Sequence, residues 1–206
     1  MFIANETEVE YITKGQNVPS EYKQCYYTSP TLAVSGMKSG AAVVTQYLNC
    51  NVCKYIGNDM CSQTVIDKLY EKAKTIDEDK YSIDSDYPSL LAYMVACQEL
   101  GYMKHSKVKF IKDTDTLKNM IYNYDQVIVQ VKVTDSIVDS TNYQISNAGS
   151  VINDEFYKGF VAYGYDSSGI LVQNTRGVGI GSAGFQFITW SVMNQIFVNG
   201  CLFDDD

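Results

Sequence analysis

The stretch "YKGFVAYGYDSSGILVQNTRGVGIGSAGF", Tyr157 to Phe185, restricts the architecture more than any other part of the chain. Two runs rich in β-branched and aromatic residues, "KGFVAYGY" (158–165) and "GILVQN" (169–174), flank "YDSSG", whose Asp, Ser and Gly suit a hairpin turn. A glycine-studded turn leads to a third run, "GFQFIT" (184–189), and "QVIVQVKV" (126–133) upstream has the same character. The second half therefore predicts an antiparallel sheet. The first half changes period. "SGMKSGAAVVTQYL" (35–48) is small and apolar on nearly every face, as a helix buried on all sides must be. "CSQTVIDKLYEKAKTI" (61–76), "SLLAYMVACQELG" (89–101) and "DTLKNMIYNY" (115–124) follow at helical spacing. Helices followed by strands predict an α+β fold: one domain, 1–206, with a helical lobe over about 1–110 packed on an antiparallel β-sheet or barrel lobe over about 111–206.

Composition narrows the function classes. Hydrophobic residues make up 46% and charged residues 19%, enough apolar surface for a real core. The formal net charge is -8 and the basic residues form no stripe, which excludes a phosphate-tracking nucleic-acid surface. No window approaches the roughly 18 consecutive apolar residues of a membrane span. "MFIANETEVEYITKG" has neither the basic nor the apolar region of a secretory signal, so synthesis in the cytoplasm is expected. No cofactor motif is present. The 17 tyrosines, against 8 Phe and 1 Trp, favour wet, hydrogen-bonded contacts between chains, because a tyrosine packs its ring and still satisfies its hydroxyl.

The block from 157 to 185 resembles one found in papain-like cysteine peptidases. There a histidine opens a strand ending in Gly-Tyr, a turn follows, and a second strand ends at the Asn of "N-S-W-G" before a glycine turn. Here Gly164 and Tyr165 match the Gly-Tyr, Asn174 matches the Asn, and Gly177, Gly181, Gly184 and Phe185 match the turn. "TLAVSGMKSGAAVVTQYL" (31–48) is similar to the family's segment around the nucleophile, in the version "L-G-S-C-T-A-N-A" associated with microbial and large-DNA-virus members.

The resemblance implies that the catalytic positions are degenerate. Met37 falls on the nucleophile, Lys158 on the histidine base and Thr31 on the oxyanion-hole glutamine, while Asn174, which orients the base, is retained. A thioether has no proton to lose, whereas the family's thiolate is made nucleophilic by an imidazolium beside it. A solvated lysine holds its proton to about pH 10 and is no base at neutral pH. The sole histidine, His105, lies far from both blocks in sequence and reads as a surface residue. A Ser39 nucleophile served by Lys158 is disfavoured, since two residues further along a helix point roughly 200° away. The expectation is a plugged cleft, with the Lys158 stem on apolar surface and its ammonium on a carboxylate or carbonyls.

The six cysteines are Cys25, Cys50, Cys53, Cys61, Cys97 and Cys201. "CNVC" lacks a fourth ligand at zinc spacing, so no metal is expected; buried free thiols and late-formed disulfides are both open. The overall expectation is a non-catalytic papain-like protein that assembles with copies of itself, as in a viral occlusion body or crystal, or in a virion with other viral or particle proteins. The alternative is a module that binds a peptide or partner in the former cleft; an active hydrolase with a non-standard nucleophile ranks third.

Overall fold

The computed structural model describes residues 2–3, 11–12, 19–23, 32–34, 36–56, 60–81, 83–103 and 107–204. Three two-residue strands, β1 (Phe2–Ile3), β2 (Tyr11–Ile12) and β3 (Tyr22–Lys23), precede a 3-10 turn at Gly36–Lys38 and helix α1 (Ser39–Ile56). Next come α2 (Gln63–Ile76), which widens into a π turn at Asp77–Tyr81, then α3 (Leu90–Glu99), β4 (Lys107–Ile111), α4 (Thr114–Tyr124) and β5 (Val127–Thr134). The remaining elements are α5 (Asp135–Asp139), β6 (Gln144–Ile145), β7 (Val151–Tyr165), β8 (Gly169–Gln173), β9 (Phe185–Thr189), α6 (Trp190–Ile196) and β10 (Phe197–Asp204). The architecture is α+β.

Local chemistry starts three of the helices. Ser62, Ser89 and Asp113 stand at the N-caps of α2, α3 and α4, and their side-chain oxygens accept from Val65, Ala92 and Thr116 N–H at 3.4, 3.1 and 2.7 Å. α1 behaves as its pattern predicts: Ala41 to Leu48 are all buried, Thr45 and Gln46 included. It touches α2 on one side and β7 on the other, and so forms the middle layer of the fold. Ile66, Leu69, Tyr70 and Ala73 form the buried stripe of the amphipathic α2.

The sheet runs β2-β4-β10-β5-β7-β8-β9-β6, with β1 and β3 pairing against β7. It is antiparallel except at the two-residue pairings of β2 with β4 and β6 with β9. β4 straddles the expected lobe boundary near 110 and belongs to the sheet. β7 begins at Val151, seven residues before the expected strand start at 158, because β5 continues pairing with it as far as Thr134↔Val151. The 165–169 hairpin closes through Asp166, whose Oδ1 accepts from Ser168 and Gly169 N–H at 2.6 and 3.0 Å. One core of buried apolar side chains extends from α1, α2 and α3 through to both faces of β5 and β7 and one face of β8. No helix among the described residues is long and apolar enough to cross a membrane.

Candidate functional site

The end of β8 and the start of α1 are tied together. Ala33 forms an antiparallel bridge with Arg176, and Val34 N–H donates to the Thr175 carbonyl at 2.7 Å. Three residues on, the chain turns through Gly36–Lys38 into α1. Within α1, the buried Gln46 donates to the Asn174 carbonyl at 3.3 Å. The two sequence blocks, far apart in the chain, thus meet at Asn174.

Asn174 is fully buried. Its Nδ2 donates to the Gly184 carbonyl at 2.8 Å and its Oδ1 accepts from Arg176 N–H at 2.7 Å, so the side chain fastens both limbs of the glycine turn. The turn needs glycine at 181, where φ is +62° and a Cβ would collide with the Phe185 carbonyl. Gly177, at φ +95°, keeps the chain beside Ala33. Thr175 is also buried, and its hydroxyl has no hydrogen-bond partner among the described residues.

Met37 is 43% exposed on the turn before α1. Its Sδ lies 3.8 Å from the Tyr70 hydroxyl, which also stands 3.2 Å from the Asp86 carbonyl. Lys38 turns away to Asp67 at 2.7 Å, with its ammonium 5.8 Å from the Tyr70 ring centre. Ser39, the first residue of α1, is 4% exposed, so the serine considered as a substitute nucleophile lies in the interior.

Lys158 occupies β7 opposite Val131 and is 6% exposed. Its stem is buried as expected, but its ammonium lies 5.6 Å from the Phe160 ring centre, and among the described residues no carboxylate or carbonyl accepts from it. That departs from the expected plug, in which an acceptor met the charge. Burial, with the positive charge of Arg176 as the second cause, lowers the Lys158 pKa from 10.5 to about 8. Arg176 gives one N–H to the Ser140 carbonyl at 3.1 Å.

Thr31, Cys25 and His105 lie outside the described residues, as do the side chains of Cys50 and Cys53 on α1. Cys61, Cys97 and Cys201 are buried and form no disulfide among the described residues; burial pushes the Cys97 and Cys201 thiols up, away from reactive thiolate. Two concavities of the described surface lie elsewhere. One, of about 480 Å³, is bordered by Glu21, Tyr143, Tyr165, Asp166 and Phe187; the other is a polar hollow along the 135–150 loop. Sequence reasoning did not find the Gln46 contact or the stranded Thr175 hydroxyl, because neither residue type is distinctive without its neighbours.

No family model and no curated protein sequence matches the chain. Solved structures do. Xylellain, a cysteine protease from Xylella fastidiosa, superposes with a TM-score of 0.68 at 13% identity over 98% of this chain and 94% of its own. Digestive procathepsin L 3 of Tenebrio molitor larval midgut gives 0.69 at 11% identity, over 98% and 75%. The Carica candamarcensis cysteine protease CMS1MS2, in complex with E-64, gives 0.57 at 12% identity, over 92% and 100%. Their common architecture is the papain-like one, and this chain has it.

Proposed function

We propose that this papain-like chain is not a peptidase but a structural protein that assembles with copies of itself. The observation that carries the reading is Lys158: the position matched to the family's catalytic histidine holds a lysine with a buried stem, its ammonium near an aromatic ring. Met37, matched to the nucleophile, presents a thioether to Tyr70 and offers no lone pair basic enough to attack a carbonyl. A scaffold with neither nucleophile nor base gains nothing from an open cleft, since fold alone does not provide chemistry.

The assembly reading draws on the surface. Tyr122, Tyr143, Val151, Ile152 and Val178 are exposed among the described residues, and the chain carries 17 tyrosines. Val151 and Ile152 sit at the start of β7, where a strand of another copy could add by main-chain pairing. A lattice such as an occlusion body or intracellular crystal, or a place in a virion, suits such a chain. Two measurements test the reading. Purified protein should hydrolyse no peptide substrate and take up no epoxide probe at Ser39. Native material viewed by microscopy should be particulate and should dissolve near pH 10, where phenols and ammonium groups titrate together. Turnover of a peptide, or a strictly monomeric native protein, overturns it.

A further inference from the structure

We propose that the cavity on the outer face of β7, β8 and β9 is a binding site for an organic ammonium group carried on a short apolar stem. The proposal depends neither on self-assembly nor on the loss of catalysis; it rests on the hairpin end of these strands, opposite the end that carries Asn174. Backbone register builds the floor. Gly164 pairs with Leu171 and Leu171 with Phe187, so the three form one row across the sheet on a single face. Leu171 and Phe187 are partly exposed there, while their neighbours Ile170, Val172 and Ile188 point into the core. Phe187 lies across Gly169, where a Cβ would run into the ring. Tyr143, 47% exposed, stacks on Phe187 with ring centres 6.3 Å apart and planes 28° apart, and its carbonyl accepts from Phe187 N–H at 2.7 Å.

Two carboxylates complete the cavity, whose volume of about 480 Å³ falls in the range of small-molecule sites. Asp166 is fixed by the hairpin: its Oδ1 accepts from the Ser168 N–H, the Ser168 hydroxyl and the Gly169 N–H at 2.6, 2.7 and 3.0 Å. These bonds, that of the Ser168 hydroxyl first, hold its carboxyl below the usual carboxylate range, so it is an anion at neutral pH. Glu21, just before β3, supplies the second and is exposed. Neither forms an ion pair among the described residues, and no described lysine or arginine side chain lines the cavity. Carboxylates elsewhere behave otherwise: Asp67, Asp86, Glu99 and Asp115 each meet a lysine at 2.6 to 3.4 Å. Aromatic rings beside two uncompensated carboxylates select a cation with hydrocarbon attached. The ring faces attract its charge, and its stem takes the surface of Leu171 and Phe187 out of water. An anion meets two like charges, and a neutral ligand gains the apolar contact alone.

The test uses the full chain and two probes, butylammonium and N-acetyl-lysine N-methylamide, against their neutral counterparts butanol and N-acetyl-norleucine N-methylamide at matched ionic strength. NMR titration should show saturable shifts of the Tyr143 and Phe187 ring signals with both cations, and the neutral compounds should bind at least about tenfold more weakly. Carbon-detected NMR should show the Asp166 carboxyl pKa falling further on saturation. Glu21→Gln combined with Asp166→Asn should weaken cation binding about fivefold or more; the Asn carbonyl still accepts from the hairpin donors, so the turn is kept. Tyr143→Ser, at an exposed position, should weaken it about two- to fivefold, while Asp115→Asn, which removes only the surface pair with Lys118, leaves it unchanged. Lys23, opposite Gly164 in the register of β3 with β7, is the nearest internal competitor, so Lys23→Ala should bind at least as tightly as the parent. Binding of butylammonium alone assigns the site to free alkylamines, and binding of the lysine amide alone assigns it to a lysine side chain of another chain. Equal binding of a cation and its neutral counterpart, unchanged affinity in the double variant, weaker binding by Lys23→Ala, or no saturation with either cation overturns the proposal.

Discussion

Asn174 donates its side-chain amide to the carbonyl of Gly184 at 2.8 Å. With its Oδ1 taken by Arg176 N–H at 2.7 Å, both ends of the carboxamide serve the glycine turn. Asn174→Ala should leave the Arg176 N–H without its acceptor and the Gly184 carbonyl with only the backbone N–H of residue 174, at 3.0 Å, and lower stability by about 1–3 kcal/mol. Asn174→Asp should cost more, since it puts a carboxylate oxygen against the Gly184 carbonyl. Urea unfolding of the two variants, compared with the parent, measures both.

If Met37 and Lys158 hold the positions of nucleophile and base, restoring both should revive reactivity. Met37→Cys with Lys158→His is expected to take up a peptidyl epoxide at residue 37 at least about 10²-fold faster than Met37→Cys alone, the range of a positioned acid–base partner. Peptide mapping by mass spectrometry reads the labelled residue and separates it from Cys25, Cys50 and Cys53.

Stability should rise with pH on the alkaline side of neutral. The folded Lys158 pKa, about 8, lies below its ordinary 10.5, so between those values the unfolded chain binds more protons than the folded one. Stability is therefore lost as pH falls through about 8 and is regained toward 10.5, by up to about 3 kcal/mol. Tyr70, Tyr93 and Tyr165, which are buried, and Tyr102, which is partly so, act in the opposite sense, because burial raises their pKa values and ionisation above pH 10 favours unfolding. Thermal melts should peak near pH 9 to 10, a range set by these two opposing titrations, and Lys158→Met should flatten the rising limb.

Asp77 is 1% exposed and accepts from both the N–H and the hydroxyl of Ser89, whose oxygen in turn caps α3. Asp77→Ala removes the acceptor for two buried donors and should cost about 1–3 kcal/mol. Asp77→Asn should cost less, since its carbonyl still accepts one of them; circular dichroism melts distinguish the two.

Gly181→Ala should be more damaging than Gly179→Ala two residues away. The first forces a side chain into a left-handed backbone and against the Phe185 carbonyl, whereas nothing lies within reach of a Cβ at 179. A loss of several kcal/mol against a loss under about 1 kcal/mol is expected, read by denaturant midpoint.

Much of this was legible beforehand. α2 and α4 carry an apolar stripe, α3 is apolar on nearly every side, each has a capping Ser or Asp, and their observed limits fall within two residues of the expected ones. The 165–169 hairpin announces itself through Asp166 and Gly169. β10 escaped notice because Asn199 and Gly200 interrupt its apolar run, and it is tertiary pairing with β4 and β5 that holds it extended. "VINDEFY" hid the first half of β7 in the same way, behind three consecutive polar residues. At the site, neither the pairing of Ala33 with Arg176 nor the lack of an acceptor for Lys158 among the described residues could be read from the chain: a buried lysine is expected to meet an acceptor, and only the surrounding backbone decides whether one arrives.

The placement of β10 between β4 and β5 also bears on biosynthesis. During translation the ribosome releases β5, β7, β8 and β9 first, yet β4 has no neighbour linking it to them until Phe197–Asp204 leaves the exit tunnel. Until β10 emerges the nascent chain must hold two unjoined sheet edges open, which makes that interval the one in which a chaperone, or another nascent copy, can intervene.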